Sequence, residues 1–291
     1  MIKNASSLKD KARNISKEYG ISIQEVLQNY VFERVLERLS KSTYKENFII
    51  KGGLLLSSIM GINSRTTVDI DTNVTGLNFE KEEILRIFKN ILNIDIEDNV
   101  TFLINKIEDI KEDNEYDGYR FRILAIYENI KIQFHIDVST GDIITPETIE
   151  YKYKKLFEDS YINIYSYNQE TVIAEKFQTI VERKIKNSRM KDYYDIYYFV
   201  NFKWNEIDKE ILREAIIKTF ISRKSIIELK TINETINVLE ENPFLNKLWQ
   251  DYCKNHIYAE KVAFGDTINA IQTVKKELFE NENTLKKFNI L

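Results

Sequence analysis

Cysteine is nearly missing from this sequence. Cys253 stands alone, so no internal disulfide can close, and with two histidines, His135 and His256, no zinc-type Cys/His cluster can assemble. Glycine and proline are scarce, at 8 and 2 of 291 residues, so punctuation is sparse and helices are expected to dominate. No apolar run approaches the ~18 residues that mark a membrane-spanning helix. The opening stretch MIKNASSLKDKARNISK lacks the apolar centre of a signal peptide. The expectation is a cytoplasmic protein with no membrane partner. Positive charge is not in excess either: Lys and Arg total 42 against 46 Asp and Glu, a net charge of -4. That excludes a uniformly basic nucleic-acid coat and leaves room for local basic patches. What remains, 43% apolar and 30% charged residues, is the balance of a folded globular chain long enough for one large domain or two ordinary ones.

Along the chain, SSLKDKARNISKEYG reads as a helix closed by Gly20. SIQEVLQNYVFERVLERLS follows, with a Ser22–Glu25 capping box and apolar residues at helical spacing from Val26 to Leu39. NFIIKGG is a short strand entering a turn, and LLLSSIMG a short helix ended by Gly61. TTVDIDTNV alternates with period two and reads as a strand, its Val68 and Ile70 directed to the covering helices. FEKEEILRIFKNILN is an amphipathic helix. VTFLINKIEDI, YRFRILAIYE and IKIQFHIDVS are further strands, with EDNEYDG as the hairpin loop between the first two. From about Asn168 to Leu291 the pattern is almost wholly helical. The fold class expected is α/β (α+β): a mixed sheet covered by helices, then a helical bundle. The boundary falls near residue 165, giving domains 1–165 and 166–291 with no flexible linker between them.

The chemistry concentrates in one stretch, IIKGGLLLSSIMGINSRTTVDIDTNV. Asp69 and Asp71 are two apart on a strand, so both carboxylates leave one face. On IKIQFHIDV, Asp137 lies on the polar side together with His135, and strands sharing a sheet would let Asp137 meet the pair. Three such carboxylates repel: two unit charges ~4 Å apart cost about 4 kcal/mol at an effective dielectric of 20. Hard oxygen ligands without a Cys/His cluster suit Mg²⁺ or Mn²⁺, and two such ions would clamp the oxygens of a phosphoryl transfer. Gly52 and Gly53, between a strand and a helix start, would let backbone N–H groups approach phosphate. Arg65, Thr66 and Thr67 stand just upstream of the acids as further donors to a triphosphate. Cradle plus carboxylate-held metals describes nucleotide transfer.

KGGLLLSSIMGINSRTTVDID, IKIQFHIDVSTGD and AEKFQTIVERKIKNSRMKDYYDIY together resemble the AbiEii-type nucleotidyltransferases of the polymerase-β-like superfamily. That family comprises toxins of type IV toxin–antitoxin, abortive-infection phage-defence systems. The resemblance implies Asp69 and Asp71 as metal ligands and Asp137 as the third carboxylate. It also implies that Lys176 and Asp195, with Asp192 nearby, complete the active site from the helical half. It further implies an NTP substrate, an RNA 3′ end, expected to be tRNA, as acceptor, a block of translation, and an AbiEi-like antitoxin as partner; a monomer is expected. Gly53 replaces the serine of the wider superfamily, and Thr72 stands where an apolar residue is more usual.

The residues alone agree only in part. Lys176 and Arg183 are seven apart and share a helix face, which makes Arg183 a further nucleotide-binding candidate. Without the resemblance, the charges of KDYYDIY read as surface pairs. His135 is tempting as a general base but reads better as a structural histidine. Tyr193, Tyr194, Tyr197 and Tyr198 would stack bases or, more simply, fill core and rim. EYKYKKLF and ERKIKNSRMK carry basic residues suited to RNA phosphates, or simply solvated faces. Two other functions remain open: a two-metal nuclease, which needs no glycine cradle, and a non-catalytic nucleotide-binding or antitoxin-like protein.

Overall fold

A computed structural model describes residues 2, 4–112 and 116–280. The chain divides into two compact units, residues 1–142 with 148–167, and residues 143–147 with the chain from 168 onward.

The first unit opens with α1 (Ala5–Tyr19) and α2 (Ile23–Lys41). Gly20 ends α1 in the left-handed region at φ 69°, its N–H bonded to the Ser16 carbonyl. Both halves of the Ser22–Glu25 capping box are formed. Strands β1 (Phe48–Lys51), β2 (Asp69–Val74), β3 (Thr101–Glu112), β4 (Tyr116–Tyr127), β5 (Ile130–Thr140), β6 (Ile149–Lys154) and β7 (Tyr161–Ser166) form one sheet. Their order is β3-β4-β5-β2-β1-β7-β6. The sheet is mixed: β2 runs parallel to β5, and β1 to β7, while the remaining pairs are antiparallel. One face is dry. Phe48, Ile50, Ile70 and Ile136 meet Val35, Leu36 and Leu39 of α2, and Phe88 and Ile91 of α4 (Lys81–Leu92). Alternation therefore sends Asp69, Asp71 and Asp137 to the opposite face. There α3 (Gly52–Met60) packs on β1 and β2.

Three expectations are corrected. Val68 precedes β2 and is 59% exposed rather than directed at the helices. Its carbonyl accepts a hydrogen bond from Gln28 Nε2 at 2.7 Å, which fixes the approach to the strand before alternation begins. The β3–β4 hairpin is longer than EDNEYDG allows, since Glu112 and Tyr116 are already register partners; residues 113–115 lie outside the described residues. β6 and β7 add two strands to those the alternation identifies. In β6 only Tyr153 is buried, so its apolar alternation is faint.

The second unit is helical: α5 (Gln169–Arg183), α6 (Met190–Tyr198), α7 (Lys209–Ser222), α8 (Leu229–Glu240), α9 (Pro243–Asn255) and α10 (Phe264–Glu280). Asn168, Asp208 and Asn242 cap α5, α7 and α9 through their side chains, and Pro243 opens α9 at its first turn. Phe177, Tyr193, Phe199, Phe220 and Ile268 lie in its core. Residues 281–291 of the expected helical remainder lie outside the described residues. Among the described residues, no helix is long and apolar enough to cross a membrane.

Candidate functional site

The acidic centre is built by register. Asp71 on β2 partners Asp137 on β5, and Asp69 partners His135. Neighbouring strands are about 4.8 Å apart, so the side chains of Asp71 and Asp137 are immediate neighbours on one face. Asp69, with a side chain 16% exposed, accepts a 2.6 Å hydrogen bond from Thr67 Oγ1, and His135 Nε2 stands 3.5 Å from its other oxygen. Thr72 points to the dry face and is buried, away from the acids.

The glycine pair has a steric purpose. Gly52 sits at φ +63°, and a Cβ built there would fall 1.8 Å from Asp71 Oδ2. A Cβ on Gly53 would fall 2.3 Å from Thr67 Oγ1. The turn from β1 into α3 therefore exists in glycine so that Asp71 and Thr67 can lie against it. The Gly53 N–H donates to Asp71 Oδ2 at 3.3 Å, placing the carboxylate over the first turn of α3, where the helix dipole favours negative charge. Arg65 is 5% exposed, and its Nη1 donates to the Thr66 carbonyl, bracing the loop that delivers Thr67.

Two cations and a fourth carboxylate were not among the candidates. Arg120 on β4 is the register partner of Asp137 and grips it with both prongs, Nε to Oδ1 at 2.7 Å and Nη2 to Oδ2 at 2.6 Å. Lys51, the register partner of Asp71, bonds to Asp142, which also accepts from the Tyr167 hydroxyl at 2.7 Å. The alternation of YRFRILA, with Phe121 and Ile123 buried, already marked Arg120 and Arg122 as outward. Only the strand order shows which of them meets an aspartate.

These residues fit a divalent cation in a particular way. Among the described residues, no three His, Cys, Asp or Glu side chains gather into a cage. Register and face place Asp137 beside Asp71, while the carboxylate of Asp137 is bonded to Arg120. Mg²⁺ rarely uses an all-protein cage; it takes one or two carboxylates plus substrate phosphate oxygens and water. Asp69 and Asp71 supply hard oxygens of that kind, one strand step from Asp137.

The helical unit holds its own charged cluster. Lys176 on α5 bonds Asp192 at 2.8 Å and Asp195 at 2.6 Å, both on α6 and both almost fully buried. Arg189 Nε adds a 2.9 Å contact to Asp192. Burial opposes ionisation of Asp192, yet Lys176 and Arg189 outweigh it and hold the carboxyl below its usual range. These are not exposed surface pairs. Arg183 closes α5, half-buried. Tyr193 and Tyr194 are core residues, with Tyr197 and Tyr198 at the rim. Of the two basic stretches, Tyr153 and Lys155 turn inward, Lys155 to Glu37 and Glu158, whereas Lys152, Lys154, Lys184 and Lys186 are exposed.

Two solved structures from Helicobacter pylori are similar in outline. One, described as a "putative nucleotidyltransferase", is 13% identical with a TM-score of 0.49, covering 89% of this chain and 98% of its own. The other, JHP933, is 13% identical with a TM-score of 0.47, covering 92% and 99%. Among curated proteins, none matches the chain. The family described as nucleotidyl transferase AbiEii toxin, type IV TA system, matches residues 34–272, a span that takes in the glycine turn, all three aspartates and the Lys176 cluster. The chain belongs to that family: it is an AbiEii-type nucleotidyltransferase, the toxin of a type IV toxin–antitoxin system.

Proposed function

We propose that the protein transfers a nucleoside monophosphate from an NTP to the 3′ end of an RNA, with tRNA as the acceptor, and so blocks translation as part of phage defence. The observation that carries this reading is the in-register Asp71–Asp137 pair lying beside the Gly52–Gly53 turn. The 3′-hydroxyl oxygen attacks the α-phosphorus, the bond to the α–β bridging oxygen breaks, and pyrophosphate leaves with the electron pair. Asp137 positions the hydroxyl and accepts its proton. Asp69, Asp71 and Asp137 would hold Mg²⁺ or Mn²⁺ together with the triphosphate oxygens. When bound there, such a cation would lower the pKa of a hydroxyl and neutralise charge on the leaving group.

Thr67 and the backbone of Gly52 and Gly53 line the phosphate side, with Arg65 and Thr66 shaping that loop. In the helical unit, Asp192 and Asp195 hold Lys176 as a fixed cation for the nucleotide, and Arg183 supplies a further positive charge. A toxin of this family has an antitoxin partner and uses an NTP; the partner proposed here is an AbiEi-like repressor. Incubating the purified chain with each α-labelled NTP, Mg²⁺ and total tRNA tests the reading. Label at tRNA 3′ ends is expected. Shortened RNA, or bound nucleotide without labelled product, would overturn it.

A further inference from the structure

Four successive strands place one charged residue each on a single row across the open face. Lys51 on β1, Asp71 on β2, Asp137 on β5 and Arg120 on β4 are each the register partner of the next. The signs run plus, minus, minus, plus, so these four charges balance as soon as the sheet forms, and Glu108 on β3 continues the row beyond Arg120. The Arg120–Asp137 step is bidentate. Arg120 commits two guanidinium nitrogens to the two oxygens of Asp137, at 2.7 and 2.6 Å, in the fork geometry that makes such pairs strong. The two side chains are 35% and 20% exposed, so the pair can open into solvent without disturbing the dry face of the sheet. A divalent cation at Asp137 needs the same oxygen lone pairs. Both cations cannot occupy that side of the carboxylate at once, and their charges repel across it.

We propose that Arg120 is an internal counter-cation that competes with the divalent metal for Asp137, so that loading the metal requires Arg120 to let go. The proposal rests on the reading of Asp69, Asp71 and Asp137 as the metal carboxylates. Arg120 touches Asp137 and not the reacting atoms, so it is a positioning residue. Once released it is not stranded, because Glu108 on β3 is its other register partner and also acts electrostatically on its guanidinium. The nucleotide-free protein would then bind metal weakly, and the triphosphate oxygens would supply the extra ligands that tip the exchange. Such a device keeps three like charges folded together without metal.

Mn²⁺ titration of the nucleotide-free, full-length chain, followed by electron paramagnetic resonance, tests this. Arg120→Gln is expected to bind Mn²⁺ about tenfold tighter than wild type, and Arg120→Lys, limited to single-point contact, to fall between. A merely structural arginine would leave the affinity unchanged or lower it. Equal or weaker binding by Arg120→Gln, with Asp71→Asn still losing Mn²⁺, overturns the competition while the metal reading stands. No Mn²⁺ binding by wild type or any variant overturns both. Should Arg120→Gln fail to fold by circular dichroism, Arg120→Lys decides: affinity above wild type supports the competition, and affinity equal to it overturns the proposal.

Discussion

Asp71 and Asp137 are register partners on parallel strands, and their carboxylates leave the same face of the sheet. Like charges in that relation weaken a fold unless a cation serves them. Asp71→Asn keeps the shape and removes the charge. It is expected to lower nucleotide transfer about a thousandfold, the equivalent of several kcal/mol of transition-state stabilisation, with the melting temperature unchanged or slightly raised. Labelled-NTP transfer beside a thermal melt checks both halves.

Gly52 and Gly20 separate backbone cost from site chemistry. Both have positive φ, but a Cβ on Gly20 meets nothing within 4 Å, whereas one on Gly52 would strike the Asp71 carboxylate. Alanine at either position should cost about 1–2 kcal/mol for the left-handed backbone. Only Gly52→Ala should also displace Asp71 and suppress transfer. Urea unfolding and transfer assays on the two variants distinguish the effects.

Glu33 on α2 is buried, and that burial pushes its pKa up to about 8, with the Leu156 N–H and the Arg34 and Lys155 cations pulling it partly back and Glu158 adding to the rise. Unfolded, the same carboxyl titrates near 4.5. The native chain therefore holds an extra proton between these values. Stability from this group is fully present below the unfolded value and is lost as pH rises through about 8. Glu33→Gln should flatten the fall in melting temperature across that window, measured against wild type in matched buffers.

Arg38 and Asp98 form a buried fork at 2.7 and 2.8 Å, and Arg38 also donates to the Val100 carbonyl at 2.9 Å. Asp98→Ala leaves that guanidinium buried without its carboxylate and should cost about 3–5 kcal/mol. Asp10→Ala removes the partner of Arg13 in a pair whose side chains are 57% and 63% exposed, and should cost less than about 1 kcal/mol. Denaturant unfolding of the two variants gives the contrast directly.

Much of this was legible wherever local chemistry decides the outcome. Gly20 and the Ser22–Glu25 box mark helix ends through the φ and hydrogen bonds they alone satisfy, and Asp69 and Asp71 share a face because a strand has period two. Arg120 was not legible as a partner of Asp137. Its outward direction follows from alternation, but its neighbour depends on β4 lying beside β5, which is a property of the sheet order. Val68 misled for a related reason: period two holds only within the strand, and the Gln28 contact delays β2 until Asp69. Lys155 reads as one more basic residue of EYKYKKLF, although Glu158 lies only three residues on; the second carboxylate, Glu37, comes from α2, and that meeting depends on the tertiary fold.

Asp69 and Asp71, with Asp137 beside them, are expected to receive a metal-bound triphosphate on the open face of the sheet. Anomalous diffraction from a crystal grown with Mn²⁺ and a non-hydrolysable NTP tests it most directly. Mn²⁺ density bridging the Asp69 and Asp71 carboxylates and the phosphates, beside the Gly52–Gly53 turn, is the expected result. Nucleotide bound elsewhere, or Mn²⁺ absent from both carboxylates, would contradict it.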